Sequence, residues 1–449
     1  MNFSLTEHFL LGILFYFFAF LILKYGVGDA RLKGGGVVTM TFLCMSLLNL
    51  PGSLTLLFTP DKYKAIPFWW ANILCILFIV LGALFVSIVT KQRKNEFKNF
   101  IFDCRYSTPS LRERRFIVGF GLVCIGVFFL YLTQVRSWPF LHLFKGTDHY
   151  TLLQMRISSF GPKMNSPFWY IFGIFRTFFM PLMFLLIILF WKNFKTSQKV
   201  ISLVVLAVIF LYQSWSSAKT PIAMLFLLLL FAFLMNTSAF LSLKKRLFKD
   251  KVKRTLVILA ILFVALGYPT LVYSLKTFGQ NQSLYYVLVE GVFHRIFYVP
   301  IEGSYLAFTI FPERVDFTHF RDISKLATVM GWEPINLSEL VAILVYGFAF
   351  NSPPSTIGNF WAQGGWTVVV LGSFVAGITL QGIQVSLIRM IRRDTVGLAL
   401  ILYLYYSAYR LCMTSFHGML MSEGVLLVLL FAVVWKFLFR FSLKPTQKN

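Results

Sequence analysis

The stretch FWWANILCILFIVLGALFVSIVT, residues 68–90, contains no Lys, Arg, Asp or Glu and opens on three aromatic residues. A helix rises about 1.5 Å per residue, so roughly 20 apolar residues cross the hydrocarbon core of a bilayer. Phe68, Trp69 and Trp70 suit the headgroup level at one end, where amphipathic rings concentrate. The stretch reads as a membrane-spanning helix. Ten others repeat the pattern, at residues 9–24, 37–58, 116–134, 168–191, 200–215, 221–240, 255–275, 366–387, 396–416 and 425–439. The expected fold is therefore an all-α polytopic membrane protein, a single integral-membrane domain over residues 1–449 with eleven transmembrane helices.

Basic residues set the expected orientation. With the N-terminus outside, the connections around Lys24, Arg31 and Lys33, residues 91–115, 192–199, 244–254 and 389–393, and the C-terminal segment all fall in the cytoplasm. They hold 28 of the 42 Lys and Arg residues, as the positive-inside rule requires. The first apolar stretch lacks a basic leader and a small-residue cleavage site, so it is expected to remain as the first helix. The net charge of +25 then reports topology and anionic lipid rather than nucleic acid, which is not expected as a partner.

The pattern fails in two places, an outer loop at 135–167 and a large outer loop at 276–365 between the eighth and ninth stretches. The large loop is too apolar for a free coil. Residues 283–311 and 337–350 read as helices lying on or dipping into the outer leaflet; if both dip through, the count becomes thirteen with unchanged parity. The stretch between them, RVDFTHFRDISKLATVMGWEP at 314–334, is polar and faces water in this reading. Trp138, Trp332 and Trp361 are candidate sugar-stacking surfaces as well as interfacial anchors. The five cysteines show no metal-ligand spacing, and the scattered histidines, among them His142, His149, His319 and His417, form no zinc-like motif. No metal or other cofactor is expected.

Ionisable groups flanked by apolar sequence are costly to hold near hydrocarbon and point to function. Arg176 lies about two turns into the fifth helix; Lys219 sits in the tight turn before Pro221; Arg295 is embedded in VFHRIFYVP beside His294. Glu302 follows seven residues after Arg295, Arg156 follows a cluster of Lys145, Asp148 and His149, and Arg410 lies near the outer end of the tenth helix. Bland roles compete. Arg176 and Arg410 would serve equally as headgroup anchors, Lys219 as a helix cap, Glu302 as a structural ion-pair partner. Arg156 and Arg295 are hardest to assign to packing, because a guanidinium stays charged and its planar fork grips phosphate through two hydrogen bonds.

Several segments resemble the Wzy-type polymerases, which join lipid-linked oligosaccharide repeat units of O-antigen, capsule or common antigen. WPFLHLFKGTDHY (138–150) with Arg156 is similar to their first large outer loop; FRTFFMPL (175–182) and SSAKTPIAML (216–225) are similar to their Arg…Pro-Leu and Lys-x-Pro helix openings. HRIFYVPIEGSYLAFTIFPERVDF (294–317) and STIGNFWAQGGWTVVVLGSFVAGI (355–378) resemble the opening and the close of their second outer loop. The family's Arg-x10-Gly spacing is absent, since Pro167 and Leu306 stand eleven residues beyond Arg156 and Arg295.

The resemblance implies a glycosyltransferase of the bacterial inner membrane. A glycan on undecaprenyl diphosphate is the donor, and the terminal hydroxyl of a lipid-linked repeat unit attacks its anomeric carbon. A chain-length-regulating co-polymerase is an implied partner. Arg156, Arg295, Arg176, Lys219 and Arg410 would hold the departing diphosphate, while Glu302, Asp148, His294 and Glu290 are candidates for the base. A flippase or other transporter of lipid-linked saccharide and an O-antigen ligase are the alternatives. Arg295→Ala and Arg156→Ala are each expected to abolish polymer at normal membrane abundance, because a lost charged hydrogen bond costs about 1.5–3 kcal/mol. Arg→Lys should restore activity only partly. Polymer length on gels, read beside an immunoblot, checks this; a wild-type ladder from Arg295→Ala would remove it from the site.

Overall fold

The computed structural model describes residues 4–27, 35–59, 64–92, 110–135, 167–214, 219–234, 299–347, 354–390 and 395–440, with isolated positions between them. Among these residues every regular element is helical. Eight helical segments are long and apolar enough to cross a membrane: Leu5–Val27, Val37–Leu57, Ala65–Val89, Leu111–Gln134, Tyr170–Asn193, Thr196–Ser214, Thr356–Met390 and Phe416–Phe439. The chain is a helical, multi-pass membrane protein. Of the other expected spans, 221–240 is represented by the 16-residue helix Lys219–Leu234 and 396–416 by the 17-residue helix Thr395–Leu411. The stretch 255–275 lies outside the described residues.

The chain builds two compact units, one from residues 1–103, 270–388 and 407–421, the other from 104–269, 389–406 and 422–449. In the first, α1 (Leu5–Leu21), α2 (Val37–Leu57) and α3 (Ala65–Val89) pack together. Leu57, Trp69 and Ile73 form a buried cluster lined by Phe9, Tyr16 and Trp70. The Trp69 ring lies directly on Gly12, where an added Cβ would come within 2.5 Å of its Nε1.

Small residues also set the approach of α3 to the long helix Thr356–Met390. A Cβ on Gly82 would stand 2.1 Å from the Phe374 carbonyl oxygen, and one on Gly377 would stand 2.0 Å from that of Ile79. The two backbones are thus in direct contact. In lipid, where apolar burial drives little association between helices, such contact supplies the dispersion energy that holds them.

Two described helices fall within the apolar parts of the expected large outer loop. The helix Val299–Ile310 falls within the stretch expected to be helical, and Leu337–Tyr346 is the second. The earlier part, residues 276–298, lies outside the described residues. Phe308 stacks on Trp361 with ring centroids 4.2 Å apart, and Trp361 Nε1 donates to the Phe311 carbonyl at 3.0 Å. Ser304 and Ser355 share a buried hydrogen bond of 2.6 Å, and Gly358 lies against the Ser304 backbone. Trp361 is buried and packs; Trp332 is exposed; Trp138 is outside the described residues.

In the second unit Leu111–Gln134 packs on Thr196–Ser214, with Gly121 against Val205. Tyr131, Phe128 and Phe172 meet edge-to-face contacts around Tyr212 and one another, an arrangement that satisfies the ring quadrupoles.

Gly377→Leu is expected to prevent close contact between its helix and α3 and to lower stability by about 1–3 kcal/mol, the cost of overpacking. Gly382→Leu, with open space at its Cβ position, is the control. Thermal unfolding in detergent compares the two. Equal midpoints would show that the contact carries no energy.

Candidate functional site

Pro181 organises the first of two polar centres. It has no N–H, so neither an α-helical nor a π-helical bond can close onto it. The residues before it, Phe175–Phe179, are π-helical, and the Met180 N–H bonds to the Phe175 carbonyl. The next carbonyl in that register, on Arg176, would need the missing proline donor. Gln213 Nε2 supplies the hydrogen at 2.7 Å. The Thr177 carbonyl, which would be the α-helical acceptor for residue 181, is met instead by the Tyr403 hydroxyl at 2.9 Å. Tyr212 donates to the Phe172 carbonyl at 3.0 Å. Each opened backbone acceptor thus has a side-chain donor, as hydrocarbon surroundings demand.

The same turn binds a second segment. Thr177 Oγ1 lies 2.8 Å from the Ser422 carbonyl, and the Tyr403 hydroxyl also reaches the carbonyl of Glu423. Gly424 follows with φ +75 and lies against Phe178, where a side chain would meet both strain and a Cβ contact of 2.8 Å. These ties bring Glu423 into electrostatic reach of the Arg176 guanidinium, along with the hydroxyls of Tyr131, Tyr212 and Tyr406. Arg176 and Glu423 are both half-buried. The centre is a cation in a cage of tyrosines with one carboxylate in range, so its net positive charge is smaller than Arg176 alone would give.

The second centre lies in the other unit. The helix Thr356–Met390 is broken at Gly364 and Gly365; Gly365 has φ 62 and ψ −143, a backbone conformation open to glycine. The Phe317 ring occupies the place of its missing side chain, 3.0 Å from an ideal Cβ. In the half-helix before the break, Asn359 and Gln363 stand four residues apart and so share one face. Both amides converge on Asp322. Asn359 Nδ2 donates to Oδ2 at 2.8 Å, and Gln363 Nε2 lies 2.9 Å from Oδ2 and 3.1 Å from Oδ1. Thr318 Oγ1 adds a longer bond of 3.3 Å, while the Thr318 N–H donates to the Ala362 carbonyl at 2.8 Å.

Asn359, Gln363 and Thr318 are buried and Asp322 is half-buried. The turn that presents it is strained. His319 and Phe320 have φ of 48 and 68, and a non-glycine residue there costs about 1–3 kcal/mol. Arg321 Nε donates to the Thr318 carbonyl at 3.2 Å, holding a cation in the same turn.

The short helix Phe416–Met421 packs on the same half-helix. Thr356 Oγ1 donates to the Thr414 carbonyl at 2.8 Å and Phe360 meets Phe416 edge-on, docking this segment onto the half-helix. His417 is half-buried, with Nε2 3.2 Å from Ser415 Oγ, and lies within electrostatic reach of Asp322. An imidazole can act as a general acid or base, and amide donors hold a carboxylate in one orientation.

Of the residues singled out from sequence, Arg176 occupies the π-helical turn, Glu302 is half-buried in the first turn of Val299–Ile310, and Arg410 is half-buried in the last turn of Thr395–Leu411. Lys219 is the first residue of Lys219–Leu234. Arg156, Arg295, Asp148, His294 and Glu290 lie outside the described residues, and with them the expected convergence of four cations on one cavity. Sequence reading missed Asp322, Asn359, Gln363 and Glu423, and took His417 only as one of several scattered histidines. The i, i+4 amide spacing before a Gly-Gly pair was the available signal. Among the described residues no three His, Cys, Asp or Glu side chains gather as a metal site. No family model, curated protein or solved structure matches this chain.

A double-mutant cycle on Asp322→Ala and Gln363→Ala, read by thermal unfolding in detergent, is expected to give a coupling of about 1.5–3 kcal/mol, the range for hydrogen bonds to a charged group. Additive losses would mean that the carboxylate–amide contact contributes nothing.

Proposed function

We propose that this protein is a glycosyltransferase that polymerises lipid-linked oligosaccharide repeat units on the outer face of the bacterial inner membrane. In this reading the chain crosses the membrane eleven times, with the N-terminus outside and the C-terminus in the cytoplasm. The growing glycan on undecaprenyl diphosphate is transferred to the terminal sugar of an incoming unit. The observation that carries the proposal is the Asp322 centre. It is an ionisable, hydrogen-bonded constellation built by Thr318, Asp322, Asn359 and Gln363. Asn359 and Gln363 fall in the stretch 355–378 that resembles the close of the polymerases' second outer loop, and Asp322 follows the stretch 294–317 that resembles its opening.

Three physical points support the reading. Asp, Asn, Gln and His side chains, with their mixed donors and acceptors, match the hydroxyls of a saccharide. A strained turn and a broken helix hold these groups with little freedom, as catalysis by positioning requires. Arg176, in a membrane-spanning helix, supplies a permanent cation of the kind that a lipid diphosphate needs. Lys219, Arg156, Arg295 and Arg410 are proposed to share that task, and a chain-length-regulating co-polymerase to act alongside.

The glycan profile of a strain lacking this protein tests the proposal. A polymerase defect leaves lipid A core capped with a single repeat unit. Uncapped core with accumulated lipid-linked polymer would assign the protein as a ligase. Repeat units stranded on the cytoplasmic face would assign it as a flippase. Either of the last two outcomes overturns the polymerase reading.

A further inference from the structure

The stretch 314–334 is polar in sequence and expected to face water, yet part of its surface is not suited to water. In the short helix Ser324–Val329, Ala327 is buried, while Leu326, Val329 and Met330 stand three and four residues apart and share another face. Val329 is 83 % exposed, Met330 53 % and Leu326 39 %. Gly331 turns the chain with φ +70, and the Trp332 N–H returns to the Ala327 carbonyl at 2.8 Å. That bond keeps Trp332, 40 % exposed, at the same end of the helix. Phe320 is exposed too, on left-handed backbone with φ 68. Single exposed apolar side chains are ordinary, but a set of this size in so short a segment marks an interaction surface.

Two contacts fix the height of this segment against helices that cross the membrane. Just before it, Glu313 pairs with Lys64 at 2.6 Å. Lys64 caps α3, whose 25 residues hold no charge, so it marks the level at which that helix leaves the hydrocarbon. Further on, the Thr318 N–H bonds to the Ala362 carbonyl at 2.8 Å, four residues ahead of Trp366, where the apolar run 366–387 begins. The Ile335 N–H closes the base of the loop on the Arg321 carbonyl at 3.0 Å. The chain then enters Leu337–Tyr346, whose ten residues span about 15 Å, too short to cross a bilayer. That helix also exposes Ile343, Leu344 and Val345. The exposed apolar face of 320–332 therefore belongs to a segment tied at the membrane surface.

We propose that the face formed by Phe320, Leu326, Val329, Met330 and Trp332 inserts into the headgroup and upper acyl region of the leaflet at the Lys64 end of α3. Its occupant is lipid. Burial of apolar side chains drives the insertion, and tryptophan favours this depth because its ring is apolar and its N–H reaches polar groups. Charge contributes little, since Arg321 and Lys325 are offset within the segment by Asp322 and Glu333. Insertion then follows apolar area and not the anionic-lipid content. Asp322 stands two residues before Ser324, so the lipid contact holds the carboxylate turn at the membrane surface. For a lipid-linked substrate that is the level of its diphosphate. The inference stands on the fold alone and does not need the polymerase reading.

The test places the photo-crosslinking residue benzoylphenylalanine at position 326, 328 or 329, one at a time, in the full-length protein in phosphatidylcholine nanodiscs. Mass spectrometry identifies the adducts. All three positions are exposed, so the replacements leave the core intact. Positions 326 and 329 are expected to give lipid adducts about fivefold or more above position 328, which lies off the apolar face. Nanodiscs containing phosphatidylglycerol should give yields within about twofold of the neutral ones. Val329→Asp combined with Met330→Asp is expected to cut the lipid yield from position 326 by about fivefold or more, because carboxylates resist leaving water. Adducts from position 329 to a second copy of the chain, or to no lipid at all, overturn the proposal. Equal yields at the three positions overturn it as well, as does a yield that appears only with anionic lipid or survives the two aspartates unchanged.

Discussion

Backbone carbonyls in hydrocarbon must find a donor, and Pro181 withholds one in the middle of a membrane-spanning helix. The cost of an orphaned buried carbonyl is about 1–3 kcal/mol, and two are opened in succession, on Arg176 and Thr177. The helix widens into a π-helical turn, and Gln213 and Tyr403 close the gap from two neighbouring helices. Much of that unit follows from this arrangement. Tyr403 ties Thr395–Leu411 to the turn, and Thr177 ties in the segment at Ser422. With both in place, Glu423 comes within electrostatic reach of Arg176. A charged residue within a membrane helix becomes tolerable because the surroundings that repair the backbone also bring it polar company.

The other unit applies the same logic to a broken helix. Gly364 and Gly365 interrupt Thr356–Met390, and the half-helix before the break carries the residues that hold Asp322. A continuous helix would offer no free end to fold a polar turn against; here the Ala362 carbonyl accepts the Thr318 N–H instead of a helical donor. The break therefore does two things at once. It ends the regular hydrogen-bond ladder, and it frees a carbonyl that anchors the strained turn presenting the carboxylate. Irregular backbone at such a place is characteristic of sites that bind polar ligands near a membrane.

Much of the fold was legible because apolar length is a local property. The stretch at 68–90 appears as Ala65–Val89, and that at 37–58 as Val37–Leu57, within a few residues. The helix at 299–310 was legible for the same reason, since that stretch was too apolar for solvated coil. Less of the candidate site could be read. Arg176 stood out, because a lone guanidinium among phenylalanines breaks the pattern. Asp322 did not, because a carboxylate in a polar stretch looks solvated until its partners are known. Trp361 was read as a surface that a sugar could meet, but stacking on Phe308 puts it in the interior.

The sequence by itself determined that this is a helical, multi-pass membrane protein, since apolar runs of membrane length need no distant partner to declare themselves. In the structure two helices do not continue unaltered, at Pro181 and at the Gly364-Gly365 pair. Only the tertiary structure decided what repairs those breaks. Gln213 reaches residue 176, Tyr403 reaches 177, and Gln363 reaches 322, and none of these separations carries a period or a motif. Hydrogen bonds between side chains are fixed by where helices pack, and that is set by close contacts such as Gly82 on Phe374 and Gly424 on Phe178. Such contacts depend on the shapes of two surfaces far apart in the chain, which no single stretch of residues contains.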